Sequence, residues 1–142
     1  MCMTIAARVP SQHRADLLAA AERASESGLD VRVAHPPRWS WARNSEAEAV
    51  VSEKGGCACS LLSDDADWGA ASWAMRPEVL EPLARTLQTL AELAPRGMTV
   101  QALWAGERAE HEKHVTAEEL GTLARTGRLG TRTRYVLSHG PV

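Results

Sequence analysis

The chain contains no Phe and a single Tyr, against five Trp. Leu, Val and Ala must therefore fill most of the core, with the Trp residues as its few large anchors. No apolar run approaches the roughly 18–20 residues of a membrane-spanning helix. Cysteines are few: Cys2, Cys57 and Cys59. An odd number, with two of them nearly adjacent, is not a disulfide framework, and a reducing cytoplasm is the simpler expectation. Met1 to Arg14 holds no apolar stretch of the kind a secretory signal needs. Neither sign of charge dominates: 16 basic against 18 acidic residues, net −2, with a pI of about 6.2. That balance argues against a generally basic nucleic-acid-coating protein. The phosphate loop, G-x-G-x-x-G, G-x-S-x-G and H-E-x-x-H motifs are all missing, so the common nucleotide, hydrolase and metalloprotease sites are not indicated.

What remains is an ordinary globular composition: 142 residues, 44% hydrophobic and 24% charged. This length suits a single α+β domain over residues 1–142, able to bury a core without covalent staples. Fourteen of the sixteen basic residues are Arg and 24 residues are Ala, the bias of a GC-rich bacterial genome. There is no repeat, low-complexity tract or linker.

Periodicity orders the elements. Thr4 to Val9 is a short, partly β-branched run and reads as a strand. Ser11 is a good N-cap, and Leu17, Leu18, Ala21 and Ala24 follow at helical spacing up to Gly28, which predicts a helix over 11–27. Leu29 to Ala34 alternates and reads as a strand, stopped by His35-Pro36-Pro37. Arg38 to Asn44 is a loop or edge strand. Ser45 to Glu53 carries three Glu around Val50-Val51. Gly55-Gly56 is a hinge or turn, and Cys57 to Leu62 reads as a small-residue strand. Pro77 suits the first turn of a helix, and Pro82 is expected to reset its start by one turn. Leu83, Leu87, Leu90 and Ala94 then form a helical stripe ended by Pro95-Arg96-Gly97. Met98 to Trp104 alternates as a strand, and Gly106 to His114 reads as a charged loop. Thr116 and Glu119 form a capping box, with Val115 and Leu120 as the hydrophobic staple, and that helix should end near Gly127. Thr131 to Leu137 is the last strand. The first six elements match the βαββαβ pattern of a ferredoxin-like core, with a C-terminal helix and strand added.

Five constellations bear on function. Cys57 and Cys59, two apart on a strand, would share a face about 6.6–6.8 Å apart and suit a soft metal such as zinc or copper, although buried Cys is also ordinary core. His111 and His114 would complete a two-thiolate, two-imidazole set, with both spacings one residue shorter than usual zinc patterns. Asp64, Asp65 and Asp67 crowd three carboxylates before Trp68. Such a loop caps a following helix or gathers a cation or basic group. A calcium loop counted from Asp65 fails, because Ala70 and Arg76 stand where Gly and Glu belong.

Trp39, Trp41, Trp68 and Trp73 lie in irregular segments, the placement of a binding groove or of core plugs. Finally, Gly121 to Val142 holds Arg125, Arg128, Arg132 and Arg134 and no acid, while Ser45 to Pro82 holds eight acids and two bases. The Arg stretch would meet phosphates or pair with the acidic middle. The preferred expectation is a cytoplasmic binding protein. Trp39, Trp41, Asp64, Asp65, Asp67 and Trp68 would hold a protein or small-molecule partner. A metal or thiol protein and a nucleic-acid binder are the alternatives, and no reaction is indicated.

Overall fold

A computed structural model describes residues 4–34, 46–53, 77–94, 98–103, 109–130 and 132–138. The first strand, β1 (Thr4–Pro10), runs into a 3-10 turn at Ser11–His13 and then α1 (Arg14–Ser25). Strand β2 (Leu29–Ala34), strand β3 (Glu46–Glu53) and helix α2 (Pro77–Leu93) follow. The chain continues through β4 (Thr99–Leu103), β5 (His111–Val115), α3 (Ala117–Arg125) and β6 (Thr133–Leu137). The result is a mixed α+β architecture with one six-stranded sheet, in the order β2-β3-β1-β4-β6-β5. All neighbours are antiparallel except β5 and β6, which run parallel on either side of α3.

Strand alternation decides which side chains meet the helices. Ile5, Ala7 and Val9 of β1 are fully buried, beside Ala47, Ala49 and Val51 of β3 and Val100 of β4. Small residues at these positions let the helices lie close to the sheet. Helix α2 is the middle helix, packed against both α1 and α3. Its buried face is correspondingly wide, from Val79, Leu80, Leu83 and Ala84 to Leu87, Leu90 and Ala91. Gly121 of α3 faces Gln88 of α2, where a Cβ would collide with the Gln88 side-chain amide and require that side chain to move. Across the same contact Arg125 donates from Nε to Glu81 Oε2 at 2.6 Å, and Arg85 adds a longer contact to Glu81 at 3.8 Å. The Arg125 hydrogen bond, aided by the charges of Arg125 and Arg85, holds the Glu81 carboxyl below its ordinary pKa.

Several expectations hold and others are corrected. The Glu119 amide donates to Thr116 Oγ1 at 3.1 Å, the N-cap half of the expected capping box, and Val115 and Leu120, the expected staple, are both buried. Gly28 has φ +90°, the left-handed backbone that ends α1 at little cost for glycine. Ser11 does not cap α1: the strand extends to Pro10 and a 3-10 turn intervenes. Pro82 does not reset α2, which starts at Pro77 and accommodates Pro82 in its interior. Thr86 Oγ1 donates to the Pro82 carbonyl at 2.8 Å one turn later.

The stretch at 46–53 is a full strand in the sheet interior. The strand expected at Cys57–Leu62 lies outside the described residues. His111–His114, expected as loop, belongs to edge strand β5, so the described sheet holds two strands beyond those expected, β3 and β5. It is tied there by Arg132, whose carbonyl accepts from the amides of Glu110 and His111 at 2.7 and 3.1 Å. Arg132 adopts a left-handed φ of 57° to make that turn.

Two outcomes check this packing. Leu87→Ala, at a fully buried site, should cost about 2–5 kcal/mol of unfolding free energy in denaturant titration. Glu81→Gln should lower the melting temperature at neutral pH. Because the folded pKa of Glu81 is depressed, its contribution is present above the ordinary carboxylate range and lost as pH falls through the lowered value. The gap between wild type and Glu81→Gln should therefore close on acidification.

Candidate functional site

The residues that alternate away from the core form two continuous rows across the second face of the sheet. Register places Arg32, Val50, Ala6, Gln101, Arg134 and Glu112 side by side in one row. The adjacent row is Ala34, Glu48, Arg8, Thr99, Val136 and His114. Charge increases toward the sheet edges in the first row, and a carboxylate and a guanidinium sit at the centre of the second.

The centre is buried. Glu48 is 0% exposed, Gln101 2% and Ala6 2%, figures as low as those of the apolar core. Glu48 lies between Ala47 and Ala49 on an interior strand, directly across from Arg8 on β1. Opposed residues on antiparallel strands have Cβ atoms about 4.5–5.5 Å apart, and unlike charges so placed attract by roughly 0.2–1 kcal/mol. Arg8 in turn donates from Nε to Thr99 Oγ1. In the other row Arg134 donates from Nε to Gln101 Oε1 at 3.0 Å. Glu48 is fully buried and Arg8 half-buried. Replacing a buried ion pair by apolar residues of similar volume is often neutral or stabilising, so such a pair is weak evidence of a purely structural role.

Chain direction adds a second feature. Strands β3 and β4 flank β1 and run the same way. Glu53 and Leu103 therefore lie at one end of the strands, beside the start of β1, and β5 begins at that end with His111. Ala34 and Glu46 lie at the other end.

The residues singled out from sequence fall as follows. Trp39, Trp41, Asp64, Asp65, Asp67, Trp68, Cys57 and Cys59 lie outside the described residues. His111 and His114 are exposed on β5 and three apart, so strand alternation turns their imidazoles to opposite faces of the sheet. The correction from loop to strand thus separates two side chains that the proposed zinc set needs together. Among the described residues no three His, Cys, Asp or Glu side chains gather as a metal group.

The four Arg residues do not form one patch. Arg125 is held by Glu81 on the helical layer and Arg134 by Gln101 on the second face. Arg132 lies 3.9 Å from Glu110. Sequence reasoning missed Arg8, Glu48, Gln101 and Arg134 as a group. The readable signal was the alternation Glu46-Ala47-Glu48-Ala49, polar and apolar in strict period two.

A concavity of about 270 Å³ lies between α1 and α2, lined by Ala20, Arg23, Thr86 and Thr89 among others. Hydroxyls around it already donate to backbone, Thr86 to Pro82 and Ser27 to Arg23, which leaves a mixed-charge rim. Its chemistry is less specific than that of the sheet face.

Comparison with protein-family models, curated proteins and solved structures gives no match. Among the described residues no helix is long and apolar enough to cross a membrane.

Arg134→Ala should destabilise the fold by about 1–3 kcal/mol, measured by thermal or chemical melting. It takes a charged donor from the buried Gln101 oxygen and uncovers part of the row.

Proposed function

We propose that this chain is a binding module with a ferredoxin-like core, β1-α1-β2-β3-α2-β4, extended by β5-α3-β6. Its ligand, a protein segment or a polar small molecule, is held at the rim of the second face of the sheet, around its buried centre. The observation that carries this reading is the buried Glu48 carboxylate opposite Arg8 in the middle of the sheet. Ionisable side chains buried on an interior strand cluster at sites that recognise or transform something. Strand order supports the core assignment: the first four strands stand as 2-3-1-4 with every neighbour antiparallel.

Trp39 and Trp41 lie in the connection between β2 and β3. Asp64, Asp65, Asp67 and Trp68 lie in the connection that leaves β3. In this proposal these two connections supply aromatic contact and negative charge to the rim of the face. A cytoplasmic location belongs to the same proposal and rests on the small, odd number of cysteines. A zinc or copper site at Cys57 and Cys59 is the competing proposal, and it draws no help from the opposed imidazoles of His111 and His114. Nucleic-acid binding through Arg125, Arg128, Arg132 and Arg134 is disfavoured, because three of the four are already engaged by acceptors or acids within the fold.

Native mass spectrometry of the purified chain, paired with thermal-shift screening of amino acids, carboxylates and short peptides, tests the proposal. The expected result is a bound organic mass or a stabilising compound whose effect is lost in Glu48→Gln and in Trp68→Ala at unchanged circular dichroism. A bare chain mass with no stabilising compound contradicts it. An excess of one zinc or copper ion that vanishes in the Cys57→Ser, Cys59→Ser double variant selects the thiol reading instead.

A further inference from the structure

The two edges of the sheet differ in kind. At one edge β5 presents His111, Glu112, Lys113 and His114, all exposed. Such a short, charged edge resists pairing with another strand. At the other edge β2 is Leu29-Asp30-Val31-Arg32-Val33-Ala34, with no Lys or Pro, and among the described residues it pairs with β3 alone. Val31 and Val33 are only partly buried, and both pack on the core cluster. Its only charges are Asp30 and Arg32, 40% and 76% exposed, which touch each other at 3.3 Å on the second face.

We propose that β2 is a self-pairing edge, through which a second copy of this chain continues the sheet antiparallel across a two-fold axis at Val31. Charge pattern and pleat select this register. Two identical strands in antiparallel pairing keep their faces matched only if opposed residues are of like parity, so a one-residue slip is excluded. Of the remaining registers near the middle of the strand, one puts Asp30 opposite Asp30 and another Arg32 opposite Arg32. The register centred on Val31 puts Asp30 opposite Arg32 of the second copy, twice by symmetry, and Leu29 opposite Val33. The two intramolecular Asp30–Arg32 contacts, one in each copy, are exchanged for two cross-strand pairs, with the outward amides and carbonyls of β2 satisfied at the same time. Self-complementarity of this kind is what an isologous interface requires. Helix α1 packs over β2, so the axis sets α1 beside its mate. It carries Leu18, 44% exposed, one of two large apolar side chains left exposed among the described residues. The helices of both copies remain on one side of a twelve-strand sheet, and the polar rows of the second face become continuous across the seam.

Charge reversal tests this without disturbing backbone or core. Analytical ultracentrifugation should show a dimer for the wild type. Asp30→Arg and Arg32→Asp each place like charges opposite each other twice and should raise the dimer dissociation constant by at least about tenfold. The double variant Asp30→Arg, Arg32→Asp restores opposed unlike charges and should restore the dimer. Circular dichroism and melting temperature monitor the fold, which these exposed positions should leave intact. A wild type that stays monomeric up to about 1 mM overturns the proposal. So does a dimer indifferent to both single reversals, or a double variant no better than the singles. Neither of the ligand-binding outcomes above bears on this result, since β2 pairing needs no ligand.

Discussion

The period-two alternation of β1 is the constraint on which the rest of the molecule depends. β1 is an interior strand, hydrogen-bonded to β3 on one side and β4 on the other. Ile5, Ala7 and Val9 close the core beneath the helices, while Ala6 and Arg8 join the polar rows. A slip of one residue would drive Arg8 under the helices and Ile5 out of them, so the register is strongly specified. From that register follow the burial of Glu48, the close seating of the helices over alanine, and the central place of α2. α2 buries the broadest apolar face because it has a helix on either flank.

Charge is distributed in the fold much as it is in the chain. The acidic middle and the Arg-rich end meet between α2 and α3, where Arg125 holds Glu81. On the sheet, Arg134 lies between Gln101 and Glu112, and Arg8 between Glu48 and Thr99. The polar face is thus built by interleaving signs across strands that are distant in sequence. Such interleaving keeps a small domain with little net charge from presenting a field of one sign, and it favours recognition by shape and hydrogen bonding over long-range attraction.

Elements with an apolar period were legible in the sequence, and those masked by charge were not. The strands at 4–10, 29–34 and 99–103 and the capping box of α3 could be read directly, because their periodic residues are Leu, Val, Ile or Ala. β3 was not legible as a strand because Glu46, Glu48 and Glu53 interrupt its apolar residues, although Ala47, Ala49 and Val51 alternate with them. β5 carries one buried residue, Val115, and owes its strand conformation to pairing with β6 and to the turn at Arg132, neither of which is local. Pro82 was read as a helix start because a proline inside a helix is normally costly. Here Pro77 already opens the helix, and packing of Leu83 and Leu87 outweighs one lost hydrogen bond. The site was the least legible part: Arg8 and Glu48 are forty residues apart, and only sheet register brings them together.

The account turns on Arg8 and Glu48 being coupled across the centre of the sheet. A double-mutant cycle with Arg8→Met, Glu48→Leu and the combination measures that coupling in unfolding free energy. The account predicts an interaction of roughly 0.5–3 kcal/mol, with the double variant more stable than the sum of the single losses. Strictly additive losses would mean that the two charges do not face each other, and the register from which the polar face is built would be wrong.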